Sequence, residues 1–133
     1  MSTVIQPDGW AVPRGYSNGI VATGKLLFIG GQIGWNPRST TPEIPATFEA
    51  QFEQALANVC EVLTAAGAKP ENLTRLTIYV TDKKEYLASL KAIGAAWRKH
   101  LGRHYPAMAL VQVSALVEDL ARVEMEATAV LES

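Results

Sequence analysis

Apolar residues recur at helical spacing in two long segments of the chain. In the first, apolar side chains between positions 48 and 63 fall on one helical face, and Gly67 follows as a stop signal. In the second, the pattern begins after Asp82, a residue type that often caps helices, and continues from Tyr86 until Gly102 closes it. The sequence therefore predicts two amphipathic helices.

Shorter apolar runs bounded by turn residues predict the strands. Two of them, "GIVAT" and "KLLFIGGQI", are separated by one glycine and predict a hairpin before the first helix. "LTRLTIYVT" follows the first helix, while "AMALVQVSAL" and "ARVEMEATAVLE" follow the second. This order predicts an α+β fold, with a mixed sheet and two helices on one of its faces.

Alternation assigns the residues of the last three strands to two faces of the sheet. The helices can cover one set: Leu76, Ile78, Val80, Val111, Val113, Val123, Met125, Ala127, Ala129 and Leu131. The other set is semi-polar: Arg75, Thr77, Tyr79, Met108, Leu110, Gln112, Ser114, Arg122, Glu124, Glu126, Thr128 and Val130. Two helices cannot cover both faces, so the second face either meets solvent or packs on another subunit. Its mixture of apolar and charged side chains favours a homo-oligomer.

Composition narrows the class of protein. The 133 residues fit a single domain, 1–133, and the net charge of −1 gives no electrostatic reason to expect nucleic acid as a partner. The single cysteine, Cys60, excludes an internal disulfide, and its apolar neighbours favour a small buried side chain over a nucleophile. No signal peptide is visible, and no apolar run is long enough to span a membrane. We expect a soluble, cytoplasmic protein without a membrane partner.

Two motif-like patterns do not indicate a site. Residues 19–26, "GIVATGKL", begin like a phosphate-binding loop, but Leu26 stands where the hydroxyl residue should be and a strand follows. A hairpin turn is the preferred interpretation. His100 and His104 have the spacing of metal ligands on a helix, but Gly102 interrupts the helix and no nearby Glu or Cys completes a tetrahedral set.

Two other pairs of residues are stronger candidates for a binding or catalytic site. Gly30 and Gly31 lie inside a predicted strand, which indicates a bulge or the close approach of another group, and free amides there could hold a carboxylate or carbonyl oxygen. Close strand packing would explain the glycines equally well. Glu124 and Glu126 share the face without helices. One could act as a base or orient a water, or both could form ion pairs.

Several segments in the expected order resemble one family. They are "RGYSNGIV", "LFIGGQIGWNP", "QALANVCEVLTAAGAKPENLTRLTIYVTD", "HYPAM" and "VEMEATAV". Together they are similar to the Rid family of reactive intermediate deaminases, also called YjgF and formerly endoribonuclease L-PSP. The resemblance implies a chorismate-mutase-like fold of the bacillus type and a homotrimer with ligand clefts at its interfaces. It also implies hydrolysis of enamines and imines, such as 2-aminoacrylate, to a keto acid and ammonia without metal or cofactor.

The resemblance also implies roles for individual residues. Tyr16 corresponds to a tyrosine that lines the cleft, and Gly30 with Gly31 to a backbone pair near the substrate. Glu124 corresponds to the glutamate that positions the attacking water. Backbone groups around Leu110 would help to hold that water.

Met108 departs from the family pattern. Deaminating members carry an arginine there, after Tyr-Pro-x, which binds the substrate carboxylate through two parallel hydrogen bonds. Leu110 and Leu90 likewise stand where relatives have polar residues. A methionine cannot pair with a carboxylate, so burying an anion against Met108 would be costly. Four cationic side chains could approach from another direction: Arg14, Arg103, His104 and Arg122.

The function predicted from the sequence is therefore imine or enamine hydrolysis on a substrate other than 2-aminoacrylate, with Glu124 as the catalytic residue. The expected binding residues for this small-molecule substrate are Tyr16, Gly30, Gly31, Trp35, Tyr105, Met108 and Leu110. A non-catalytic family member that binds a metabolite or a partner protein is the alternative. RNA cleavage or inhibition of translation is a more distant one, since the chain is near neutral and no histidine pair suits phosphodiester chemistry.

Overall fold

The computed structural model describes residues 2–41 and 43–131. Within these residues the strands are β1 (Ser2–Ile5), β2 (Gly19–Ala22), β3 (Lys25–Ile33), β4 (Leu73–Val80), β5 (Ala107–Gln112) and β6 (Val123–Leu131). The α-helices are α1 (Phe48–Ala65), α2 (Lys83–Ala88) and α3 (Leu90–Leu101), and a short 3-10 helix spans Pro70–Asn72. Four strands form a mixed sheet in the order β3-β6-β4-β5, in which β4 and β5 are parallel. The predicted α+β class is confirmed.

The core lies between the sheet and the helices α1 and α3. Helix α1 contributes Phe52, Leu56, Val59 and Leu63, all almost completely buried. The alternation predicted for β4 and β6 is confirmed, because these residues are buried on the helix side: Leu76, Ile78, Val80, Val123, Met125, Ala127 and Ala129. Burial of each large apolar side chain contributes roughly 1.5–3 kcal/mol, so this layer holds the helices to the sheet.

The predicted hairpin of β2 and β3 is wrong. Strand β2 pairs antiparallel with β1 in a separate two-stranded sheet, and β3 pairs with β6. Gly24, in the turn between β2 and β3, has a φ of 149°, and a Cβ there would collide with the backbone of Leu131. The chain therefore passes close to the end of β6 at this turn, and β2 pairs with the N-terminal strand β1.

The second predicted helix is divided at Ser89. This residue has φ −111° and ψ 13°, so it ends α2 and serves as the N-cap position of α3. Its buried hydroxyl donates a hydrogen bond to Glu49 on α1, with an oxygen–oxygen distance of 3.2 Å. A continuous amphipathic pattern carries no information about this local bend. The predicted start is confirmed, because the Asp82 side chain accepts a hydrogen bond from the backbone N–H of Lys84.

The predicted orientation of β5 is also wrong. Its parallel register with β4 pairs Met108 with Leu76, Leu110 with Ile78 and Gln112 with Val80. Paired residues share a face, so Met108, Leu110 and Gln112 lie on the helix side. Val111, predicted to lie beneath the helices, is 42% exposed on the opposite face. Because β5 is apolar at almost every position, its pattern could not indicate which set faces inward.

The face of the sheet opposite the helices is termed here the open face. It presents apolar side chains, among them Leu26 and Phe28, and Phe28 is 73% exposed. Tyr79, Glu124 and Glu126 lie on the same face. It therefore has the mixed apolar and charged character predicted from the alternation. No helix in the described part of the chain is both long and apolar enough to cross a membrane.

Candidate ligand-binding and catalytic site

A cavity of about 240 Å³ lies between α2, α3 and the start of β5. Its walls include Tyr105 and Met108 from the turn and strand, and Tyr86, Leu90, Ile93, Gly94 and Trp97 from the helices. Phe52 and Ile78 close it towards the core, while Arg14, Gly15 and Arg98 complete the lining. We term this the Met108 cavity. Most of its surface is apolar or aromatic, which is typical of small-molecule sites.

Hydrogen bonds hold the segments around this cavity in position. The backbone N–H of Ser17 donates to the carbonyl of Pro106 at 3.1 Å, and Ser17 forms an isolated parallel bridge with Ala107. These contacts bring residues 14–16 beside the start of β5. The indole N–H of Trp97 donates to the carbonyl of His104 at 3.0 Å, and its ring stacks on Tyr105 with an interplanar angle of 8°. The aromatic wall is therefore fixed from two sides.

The structure brings together only part of the predicted site at this cavity. Tyr105, Met108 and Leu90 line it, and Tyr16 is adjacent in sequence to the lining residue Gly15. Leu110 lies on the same side of the sheet and packs against the core. Trp35 is elsewhere, at the end of β3. There its carbonyl accepts a hydrogen bond of 2.9 Å from the buried Asn58 on α1.

Only one of the four proposed cations lies at the Met108 cavity, namely Arg14. Arg122 pairs with Glu85 at 3.1 Å, and the ring nitrogen Nε2 of His104 contacts the carbonyl of Leu73 at 2.7 Å. Arg103 does not line the cavity. Arg98 does, although the sequence interpretation missed it. Its spacing of four residues from Gly94 and eight from Leu90 on the same helix is the signal that could have identified it.

A second group of predicted residues lies on β3 and β6. Gly30 and Gly31 lie at a register shift between Ile29 and Gln32, which confirms the bulge interpretation. A Cβ on Gly31 would collide with the carboxylate of Glu124, whereas a Cβ on Gly30 would meet no atom within 4 Å. Gly31 therefore leaves the space that the Glu124 carboxylate occupies.

The two candidate carboxylates on β6 have different surroundings. The hydroxyl of Tyr79 donates a hydrogen bond of 2.5 Å to Glu126, and this bond raises the pKa of Tyr79. Within residues 2–41 and 43–131, the Glu124 side chain has no hydrogen-bond or ion-pair partner. Of the two, Glu124 is therefore the carboxylate that remains available to bind a water or a substrate.

The pair Gly31 and Glu124 cannot form one site with the Met108 cavity within a single chain. Gly31 and Glu124 lie on the open face, and Met108 lies on the helix face. Gly31 lies on the edge strand β3, three strand spacings or about 14 Å from β5, and Glu124 lies on β6, two spacings or about 10 Å from β5. A site that uses both groups therefore requires a second copy of the chain.

The remaining candidate side chains have structural roles. Burial raises the pKa of the Cys60 thiol to about 11, so the thiol stays protonated near neutral pH and is a poor nucleophile. His100 contacts Glu53 at 3.2 Å, while His104 contacts the backbone of Leu73, so the two histidines do not converge. Among the described residues, no cluster of three His, Cys, Asp or Glu side chains could hold a metal.

Comparison with known proteins identifies the class. Residues 10–131 match the family model described as Endoribonuclease L-PSP. The structure matches that of the Rid protein YyfB from Yersinia pestis, with a TM-score of 0.85 and 34% identity over 98% of each chain. It also matches Escherichia coli TdcF with bound serine, with a TM-score of 0.72 and 30% identity over 98% of this chain and 99% of that one.

This chain belongs to the Endoribonuclease L-PSP family, the Rid/YjgF proteins, and the resemblance seen in its sequence is confirmed. A further relative is the 2-iminobutanoate/2-iminopropanoate deaminase of Escherichia coli (strain K12). It is 34% identical over 110 residues, which cover 83% of each chain. At the level of the family, these relatives support the assignment of this chain to the Rid-like imine deaminases.

Proposed function

We propose that this protein is an imine or enamine hydrolase that deaminates a substrate other than 2-aminoacrylate, in clefts between the subunits of a homotrimer. One observation carries the proposal: Gly31 on β3 and Glu124 on β6 lie on the open face of the sheet, and the Met108 cavity lies on the helix face, beside the edge strand β5. The relative named 2-iminobutanoate/2-iminopropanoate deaminase supports the reaction class.

The surfaces of the chain are consistent with assembly from copies of itself. Beyond the bridge between Ser17 and Ala107, no described strand pairs with the outer edge of β5, so its backbone groups there are open to a neighbour. Phe28 exposes most of its side chain on the open face. A neighbouring subunit that covered both features would bring its Glu124 towards the Met108 cavity. Cyclic assembly is the ordinary way to satisfy such a heterologous contact.

The reaction follows from these roles. The imine reacts as its protonated, iminium form: water adds to the iminium carbon while the Glu124 carboxylate accepts one proton of that water, which gives a neutral carbinolamine. Glu124 returns this proton to the nitrogen, and ammonia leaves as the hydroxyl of the carbinolamine gives up its proton and the carbonyl forms, so the overall change is iminium plus water to ketone plus ammonium. An enamine first takes a proton on carbon to become the iminium ion. Tyr16 and the backbone at Gly30, Gly31 and Leu110 would orient the substrate and the water.

The lining of the Met108 cavity supports a substrate with an apolar substituent. Met108 and Leu90 offer contact surface but no hydrogen-bonding group for a small polar imine. Burial raises the pKa of the Tyr86 hydroxyl, so that group stays neutral. A leucine- or phenylalanine-derived imine would fill more of the cavity than 2-aminoacrylate does. The resulting contacts would favour the larger substrate.

A coupled assay tests the proposal directly. 2-Aminoacrylate and the imines released by an amino-acid oxidase from leucine or phenylalanine are generated in situ, and keto-acid formation is followed with and without the protein. We expect acceleration with the larger imines, little with 2-aminoacrylate, and loss of the acceleration in Glu124→Gln. Rates on 2-aminoacrylate equal to those of the Escherichia coli deaminase would contradict the proposed specificity.

A non-catalytic, ligand-binding protein is the second candidate. It is favoured by the position of the Met108 cavity, which one chain lines entirely while Glu124 lies at a distance. The same assay separates the two functions. A binder would take up apolar ligands without accelerating the hydrolysis of any imine, and Glu124→Gln would leave its ligand affinity unchanged.

A further inference from the structure

Two guanidinium groups border the otherwise apolar Met108 cavity. Arg14 approaches from the loop before β2, and Arg98 approaches from α3. No Asp or Glu belongs to the lining, and within residues 2–41 and 43–131 neither arginine forms an ion pair. Unopposed cations at the rim of a low-dielectric cavity create a local positive potential that attracts anions.

The Arg98 guanidinium lies beside a glycine of the same helix, Gly94. Its Nη1 atom is 3.3 Å from the point where a Cβ on Gly94 would lie, so the guanidinium lies back along the helix over Gly94. The absence of a side chain at Gly94 leaves room for the Arg98 guanidinium beside the cavity, and a Cβ there would require it to shift by a few tenths of an ångström.

Arg14 reaches the cavity from a different element. The loop that carries it is held to β5 by the hydrogen bond from Ser17 to Pro106 and by the bridge to Ala107. The two cations therefore come from separate parts of the chain. The same cavity has an apolar and aromatic interior that includes Met108 and the stacked pair Trp97 and Tyr105.

We infer that the Met108 cavity binds a carboxylate that bears a large apolar or aromatic group, with Arg14 and Arg98 holding the carboxylate at the rim and the apolar group inside. This inference rests on the proposed function and names its substrate class. The carboxylate pairs with two cations at the edge of the cavity, where solvent remains close. Deep burial of the anion against Met108 is thereby avoided.

The test measures binding rather than turnover. Isothermal titration calorimetry of the 133-residue chain compares 3-phenylpropanoate, its uncharged analogue 3-phenylpropanamide, and acetate. We expect 3-phenylpropanoate to bind about tenfold more tightly than the amide and far more tightly than acetate, because only the first satisfies both the cations and the apolar interior. Equal affinity for the carboxylate and the amide, or no binding of 3-phenylpropanoate, would overturn the inference.

Variants identify the two cations. Arg14→Gln and Arg98→Gln should each weaken binding of 3-phenylpropanoate by about tenfold and leave the affinity for the amide unchanged. The double variant should lose the preference for the carboxylate. Lys91→Gln is the control, since it removes one positive charge from the same helix away from the cavity. A carboxylate preference that survives in the double variant, with thermal unfolding unchanged, would refute the assignment.

Because the ligands are unreactive, this result is independent of catalysis. Binding that depends on both arginines, without hydrolysis of any imine, would support the inference and contradict the proposed reaction. If the protein hydrolyses imines but its binding of 3-phenylpropanoate does not depend on either arginine, the reaction is supported and the inference is contradicted.

Discussion

Met108 is the direct neighbour of Leu76 across the parallel strands β4 and β5. Since Leu76 is completely buried beneath the helices, the Met108 side chain lies on the helix side of the sheet, within the cavity that also contains Leu90 and Arg98. Glu124, by contrast, pairs with Tyr79 on the open face. This relationship separates the apolar cavity from the available carboxylate and makes a second subunit necessary for a joint site.

Replacement of Met108 by arginine should broaden the substrate range. A guanidinium deep in the Met108 cavity could pair with the carboxylate of a small substrate that does not extend to the rim. We expect the rate on 2-aminoacrylate, measured by keto-acid formation, to rise by about tenfold or more in Met108→Arg. Met108→Leu keeps the volume without the charge and should show no such rise. An equal rise in both variants would show that charge is not the cause.

Gly31 should be coupled energetically to Glu124. In Gly31→Ala the new methyl group must displace the Glu124 carboxylate, so we expect a loss of about 1 kcal/mol in the free energy of unfolding. In a Glu124→Ala background the same substitution should cost much less. Gly30→Ala meets no neighbouring atom and serves as the control for the bulge. Urea denaturation of the four combinations measures the coupling. Additive effects would contradict the close contact.

The buried Cys60 should make stability depend on alkaline pH. The pKa of the thiol is about 11 in the folded chain against 9.0 ordinarily, so the unfolded chain loses the proton first as pH rises. The contribution of the Cys60 thiol to the free energy of unfolding is fully present below pH 9 and is lost progressively up to about pH 11. The free energy of unfolding, measured by urea denaturation across this pH range, should therefore fall more steeply with pH in the wild type than in Cys60→Ala. Identical slopes would show that the thiol is not desolvated.

The thiol should also react slowly. Because the raised pKa lowers the thiolate fraction at pH 8 by about a hundredfold, an aromatic disulfide reagent should modify Cys60 much more slowly than it modifies free cysteine. Cys60 is the only cysteine, so the measured rate belongs to it alone. Unfolding in urea should restore the ordinary rate.

The open face should mediate assembly. A charge at position 28 would be costly in an interface but harmless in a single exposed chain, so Phe28→Asp should lower the mass measured by light scattering from trimer towards monomer. Leu87→Asp is the matched control, since Leu87 is also exposed but lies on α2. A monomeric wild type, or a trimer that tolerates Phe28→Asp, would contradict an interface on this face.

Most residues of the candidate site could be predicted from the sequence, but their positions relative to one another could not. The paired glycines indicated a bulge, and the structure has one, with Glu124 against Gly31. Tyr105, Met108 and Leu90 come together at one cavity. Arg98 was missed because its helical spacing from Gly94 and Leu90 indicates a site only once Leu90 is known to line a cavity. Its role becomes visible only beside Gly94 and Met108.

The sequence by itself determined the helix α1 and the inward faces of β4 and β6, because each alternates polar and apolar residues with the period of its own secondary structure. It also determined the family. Only the tertiary structure decided the bend at Ser89, the partner of β2 and the orientation of β5. Backbone pairing and side-chain contacts with distant residues set these features. In β5 both faces are apolar, so local pattern could not choose between them, and the register with Leu76 did.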